Sequence, residues 1–475
     1  MKPGWRSTRW TRRLKRSSKS ISWPRVTGMR LVTTIMVRLL PRSGPWYRAP
    51  RFLHPDATMR PPRTRRARLR AILLWLAASG VAGAGPQPET VGKVVALPAR
   101  PGPHWFWLSD ILLHRTALFD ADAGELLATL SSGSGGVGFV IAPLFAPDHR
   151  EVYLAETYYS RGVRGERTDV VTVYDAATLQ PLEEIGIPPR RAEYFPGNAA
   201  NALSDDGRFA AVFNLTPVTS LSIVDVKSRR FTTEVSTPGC SLVYAAGPRR
   251  FLMLCANGAA LTVALDDTGH ETRVERSEPF FDPQKDPVTE KAVRRGSEWL
   301  FVSFEGVVHP VDVAGDTPRF GETWSLVGDA DRRAAWRVGG GQHLAVHAAS
   351  GRLYALMHQG GPDTHKEAGT EVWVYDLATR RRVQRIPVLN PLAGFVGQQL
   401  AASGRSRMAR FTGWFLPKVL PNPGVERILV TQDDHPVLVM SASLPPTLTI
   451  HDAMTGAVVR QVSEPGLAAS LLFAP

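Results

Sequence analysis

The chain has 475 residues, with 57 Lys and Arg against 43 Asp and Glu, two cysteines and a net charge of +14. Such a charge ordinarily points to nucleic acid or an anionic surface as partner. Here residues 1–70 hold 20 of the basic residues and one acid, Asp56, which leaves 37 basic and 42 acidic residues, a balance of −5, for everything after them. No basic folded domain produces the charge, and the nucleic-acid reading loses its support.

Taken in chain order, residues 1–58 show neither sustained helical periodicity nor strand alternation, and they precede a second methionine, Met59. From Met59 the text reads as an export signal. Arg60 to Arg70 is a cationic n-region, Ala71 to Val81 an apolar h-region, and Ala82-Gly83-Ala84 a cleavage site of the A-x-A kind. Residues 1–58 are therefore expected to be a basic extension upstream of the true start, and 59–84 a signal peptide. The h-region is too short for a stable membrane span, which needs about 20 apolar residues. Arg65-Arg66 in the n-region resembles a twin-arginine signal, and ordinary secretion fits the segment equally well.

Residues 85–475 carry an internal repeat. An alternating apolar segment ending in aspartate recurs seven times, at Asp120, Asp175, Asp225, Asp266, Asp312, Asp376 and Asp452, with spacings of 55, 50, 41, 46, 64 and 76 residues. Asp at a strand exit caps the following turn by accepting backbone N–H groups, so each marker predicts a hairpin. Companion strands opened by polar turns, as in Asp205-Asp206-Gly207 before Phe209 or Ser350-Gly351 before Arg352, bring each unit to about four strands. The fold class this predicts is all-β, a seven-bladed β-propeller of four-stranded blades. Each blade has two apolar faces that only its neighbours can cover. The leftover strand Val91 to Leu97 is expected to pair with C-terminal strands and lock the ring. An insertion at about 390–426 occupies the longest gap, and its aromatic residues favour a docking surface.

Several motifs have plain readings. Gly133-Ser134-Gly135-Gly136 resembles a phosphate loop, but Pro143 and Pro147 follow it where a helix would have to begin. Gly339-Gly340-Gly341 reads as a loop that lets backbones approach closely. His343, His347, His358 and His365 lack the spacing and carboxylate partners of a metal site. Cys240 and Cys255, in the exported part, are expected to form a disulfide; the 15-residue loop it would close is worth about 3 kcal/mol.

Arg164-Gly165-Glu166-Arg167-Thr168-Asp169 with the strand through Asp175, then Trp336-Arg337-Val338-Gly339-Gly340-Gly341-Gln342, His365-Lys366 and Ile450-His451-Asp452-Ala453 all resemble the heavy subunit of methylamine and aromatic amine dehydrogenases. The Cys240 to Cys255 spacing is similar too. The resemblance implies a periplasmic propeller without a cofactor of its own, paired with a small disulfide-rich light subunit in a complex of two heavy and two light chains. The light chain would carry tryptophan tryptophylquinone. A primary amine would be oxidised to aldehyde and ammonia, with electrons passing to a cupredoxin or cytochrome. Gly138-Phe139 matches a family Gly-Phe pair at the mouth of the active site, so both are expected to line the substrate channel; Val137 departs from the family's second glycine, and the 390–426 insertion is a further departure. A stand-alone periplasmic binding propeller is the alternative reading. A calcium-dependent propeller hydrolase is a third, for which no Glu/Asn/Asp ligand set is evident.

Overall fold

The computed structural model describes residues 96–131, 142–193, 197–463 and 466–474, within a compact unit that runs from Thr90 to Pro475. The expected basic extension 1–58 and the export signal 59–84 lie outside the described residues.

Seven antiparallel sheets follow one another along the chain. Blade two shows the plan: Leu144–Phe145 innermost, then Glu151–Tyr159, Arg167–Asp175 and, outermost, Pro181–Ile187. Blades three, four and seven repeat it in sequence order, from Asn201–Leu203 to Arg230–Ser236, from Cys240–Ala245 to Glu271–Pro279, and from Arg427–Val430 to Val458–Ser463. Blade five, starting at Val293–Arg295, and blade six, starting at Trp336–Val338, each carry one extra short strand.

The predicted marker is the last residue of each third strand, or the residue after it, and every one does what an aspartate at that place should. Asp120, Asp175, Asp225, Asp266, Asp312, Asp376 and Asp452 each accept at least one backbone N–H from the turn that follows, at 2.7–3.3 Å. These charge-assisted bonds hold the carboxyls of Asp175, Asp376 and Asp452 below the usual carboxylate range.

The core lies between blades. Phe209, Phe213, Leu221 and Ile223 of blade three pack on Phe251, Met253 and Leu261 of blade four. Phe106, Leu108 and Phe119 of blade one meet Val437, Val439 and Ile450 of blade seven. Second and third strands are accordingly buried on both sides, as the runs Phe209–Asn214 and Ser220–Asp225 show, and the polar Asn214, Ser220 and Ser222 in them bond one another.

Residues 91–95 of the strand expected to lock the ring lie outside the described residues. The innermost strand of blade one is the C-terminal Ala469–Phe473, paired with Trp105–Asp110 through Trp107–Phe473, Leu108–Leu472 and Ser109–Leu471. The described end of the expected lock, Leu97, donates its N–H to the carbonyl of Ala177 at the edge of blade two. Asp110 reinforces the closure. Nearly buried, it accepts N–H bonds from Leu112 and Leu113 on one oxygen and from Leu467 and Ala468 on the other.

The insertion folds into two helices, Pro391–Ala402 and Ser406–Val419. Asn390 caps the first, accepting from the N–H groups of Leu392 and Ala393, with Pro391 in the first turn where its missing N–H costs nothing. That helix lies against blade seven, where Gln398 bonds the carbonyl of Gln461 at 2.6 Å.

Candidate functional site

An antiparallel four-stranded blade sends its second-to-third hairpin and its crossover to the next blade to one end, and the marker turns to the other. The two ends differ. Marker turns hold four to six residues, whereas crossovers run from three residues between blades three and four to 39 between blades six and seven. The varied end therefore carries the chain's individuality. Among the described residues it receives the 160–166 hairpin, the 280–292 and 326–335 crossovers, residues 188–193 and 197–200 of the crossover after blade two, and the helical pair. Gly138 and Phe139 lie outside the described residues.

Beneath this face, blade two carries a buried charged network. Thr157 and Asp169 face each other across the second and third strands, as do Tyr159 and Arg167. Asp169, with its side chain fully buried, accepts the Arg167 guanidinium through Nε at 2.8 Å and Nη2 at 2.7 Å, the Thr157 hydroxyl at 2.9 Å and the Arg191 N–H at 3.0 Å. Arg167 also pairs with Glu193 at 2.6 Å, and Tyr159 donates to the same carboxylate. Arg191 donates its Nε–H to Thr157 at 2.7 Å, and burial lowers its pKa against the opposing pull of Asp169 and Glu193. The network ties the root of the 160–166 hairpin to the crossover at Arg191. The hairpin tip stands free, with Val163 71% exposed.

A second cluster sits where blades five and six meet. Lys291, almost buried, pairs with Glu290 at 2.6 Å, while Tyr244 donates to the Glu290 carbonyl. Burial works against the Glu290 carboxylate, but the Lys291 ammonium holds its pKa below the usual value. Thr289 meets Nε2 of the fully buried His343 at 3.1 Å; desolvation first, then the Lys291 charge, pushes that imidazole down to about 3. His365 stacks on Phe304 with ring centroids 3.5 Å apart.

The other histidines are held locally. His347 bridges Ser350 and the Asp433 carbonyl, and His358 meets Thr364. Among the described residues no group of three or more His, Cys, Asp or Glu is placed to hold a metal ion. Gly340 has the role read from the triple glycine: φ is +107°, and a Cβ there would meet the Glu426 carbonyl at 2.6 Å. The broken inner strand of blade six crosses at this point to blade seven, where Gln342 N–H reaches that carbonyl. Cys240 and Cys255 are bonded, joining the two innermost strands of blade four at the crossover face.

Sequence reading missed the Asp169 and Glu290 clusters. The signal was there in part: Arg167 and Asp169 stand two residues apart on one side of a strand whose neighbours are apolar. Their partners, Thr157, Arg191 and Glu193, come from other segments.

The ring and its uneven face define a seven-bladed β-propeller whose crossovers build one elaborated surface. The chain belongs to the methylamine dehydrogenase heavy chain family, whose model matches residues 114–399. It is 27% identical to the methylamine dehydrogenase heavy chain of Paracoccus versutus over 354 residues, covering 74% of this chain and 73% of the relative. With that of Methylophilus methylotrophus it shares 23% identity over 438 residues, 89% of this chain and 98% of the relative. A solved structure of a functionally unknown protein from Desulfotomaculum acetoxidans superposes with a TM-score of 0.50 at 12% identity, over 78% of this chain and 98% of that one, which shows the fold alone.

Proposed function

We propose that this chain is the heavy, non-catalytic subunit of a periplasmic amine dehydrogenase that oxidises a primary amine to aldehyde and ammonia. The observation that carries this is the family match over 114–399, laid on a propeller whose crossover face is braced from beneath by buried charges. The partner is a small light subunit bearing tryptophan tryptophylquinone, in a complex of two heavy and two light chains, with a cupredoxin or cytochrome as electron acceptor. When present, the quinone supplies the two-electron oxidation.

This chain's part is to position. Asp169, Arg167 and Arg191 fix the 160–166 hairpin and its neighbouring crossover, so the docked subunit meets a preformed surface and little is lost to ordering it. Gly138 and Phe139 match the family's Gly-Phe pair in the stretch of sequence between blades one and two, and we assign Phe139 to the wall of the substrate channel.

Affinity purification of the native chain tests the assignment. A small, cysteine-rich, quinone-staining polypeptide should accompany it in equal amount; its consistent absence would leave the stand-alone binding propeller. In the intact complex, Phe139→Ala should change the ratio of kcat/KM values between small and bulky amines while the melting temperature of the heavy chain stays the same. Unchanged ratios would remove Phe139 from the channel.

A further inference from the structure

We propose that the Ser406–Val419 helix is an interfacial anchor that docks the protein on an anionic phospholipid surface. Five large apolar side chains on this helix are exposed to solvent: Met408 by 49%, Phe411 by 57%, Trp414 by 60%, Phe415 by 41% and Val419 by 52%. Their spacing of three and four residues places them along one stripe of a helix about 21 Å long. The rings lie together, Phe411 stacking on Phe415 with centroids 5.6 Å apart and Trp414 tilted beside it at 6.2 Å. An aromatic patch of this kind left in water is costly for a secreted protein unless something covers it.

Charge identifies the cover. From Val388 to Val425 the sequence contains Arg405, Arg407, Arg410 and Lys418 and not one acid. The remainder of residues 71–475 holds 33 basic and 42 acidic residues, so a stretch of +4 stands on a body of −9. Arg405, Arg407 and Arg410 are all exposed at the start of the stripe. Aromatic residues interleaved with arginine, with no acid, suit the boundary between headgroups and acyl chains, where the rings enter the apolar edge and the guanidinium groups stay with the phosphates. No helix among the described residues is long and apolar enough to cross a membrane, so this contact is one of lying on the surface.

The setting agrees. The helix packs on the preceding Pro391–Ala402 helix, which in turn is fastened to blade seven through Gln398, so the stripe is presented outward on a rigid mount. The family match ends at residue 399, before the stripe begins. An anchor is therefore a property added to the propeller rather than one required by its assembly.

Sedimentation of the purified full-length mature protein, with its light chain where that co-purifies, provides the test. Vesicles of phosphatidylcholine and phosphatidylglycerol at 7:3 should carry the protein down, and pure phosphatidylcholine should carry far less. Substituting Arg405, Arg407 and Arg410 by Gln should weaken binding about 100-fold, at about fivefold per arginine. Replacing Phe411, Trp414 and Phe415 by Ser should abolish it with the melting temperature and far-UV spectrum retained. The chain has 12 tryptophans, so the difference spectrum between wild type and Trp414→Phe isolates one ring, which should shift to the blue on anionic vesicles alone. Protein that stays in the supernatant with anionic vesicles overturns the proposal, as does equal binding to neutral ones. Loss of a dimer or of the light chain from the Ser variant, without any wild-type lipid binding, would assign the stripe to a protein interface instead.

Discussion

Replacing Asp169 by Asn is the sharpest perturbation of the face. The side chain is fully buried and takes hydrogen bonds from two nitrogens of Arg167, the hydroxyl of Thr157 and the backbone of Arg191. Asn keeps the shape but removes the charge and turns one acceptor into a donor aimed at other donors. Arg191, itself buried, then loses the carboxylate that most offsets its burial. Breaking a buried pair by removing one partner costs about 3–5 kcal/mol. A unit of the size of Thr90–Pro475 has an unfolding entropy of about 0.8 kcal/mol/K, so the melting temperature should fall by about 4–6 °C. Thr157→Val, which removes one neutral hydrogen bond, should cost about 1 kcal/mol and about 1 °C. Differential scanning calorimetry of the heavy chain reads both. The pair Asp169→Asn with Arg167→Met should be less damaging than the sum of its members by more than about 1 kcal/mol, because the two changes remove one interaction. Additive losses, or a melting temperature within 1 °C of wild type for Asp169→Asn, would refute the view that these charges act as a unit.

Other perturbations follow from the same geometry. His343 stays neutral when folded, with a pKa near 3, whereas unfolded it takes a proton as pH falls below about 6.5; the folded state therefore loses about 1.4 kcal/mol per pH unit between those limits, and His343→Gln should flatten the acid side of a urea-stability profile by about 2 kcal/mol between pH 7 and 5. Burial opposes the charged form of Asp110, but its four backbone donors outweigh that and lower its pKa, so its contribution is present above the usual carboxylate value and fades as pH falls through the depressed one. Asp110→Ala should cost about 2–3 kcal/mol by calorimetry, and an unchanged melting point would deny it a part in closing the ring. Reducing the Cys240–Cys255 bond should lower stability by about 3 kcal/mol on the loop-entropy estimate, read as a shift in the denaturant midpoint at constant slope.

What could be read from the sequence is what is encoded within a few residues. A marker aspartate and the N–H groups it accepts are two or three positions apart, so blade number and turn position were both visible before any packing was known. Ring closure was hidden because Ala469–Phe473 meets Trp105–Asp110 across almost the whole chain, and a five-residue apolar strand carries no label for its partner. The helices were hidden for a local reason. Asn390 and Pro391 spell a helix start, but Gly394, Gly397, Gly413 and Pro417 weaken every propensity argument for what comes after.

The charged clusters belong to a further class, because their members are recruited from segments with separate structural duties. Asp169 ends no turn and caps no helix, and its meaning arises only when the crossover through Arg191 and Glu193 is laid beside it. This explains why the two faces of the ring differ in legibility. A marker turn must keep its aspartate within reach of its own donors, so its length hardly varies and its sequence repeats. A crossover has only to deliver the chain to the next blade, and each is free to differ. The lengths there run from three to 39 residues. Neither repeat nor periodicity reports on the crossovers, and buried ion pairs hold two of them in place, the one through Arg191 and Glu193 and the one through Glu290 and Lys291.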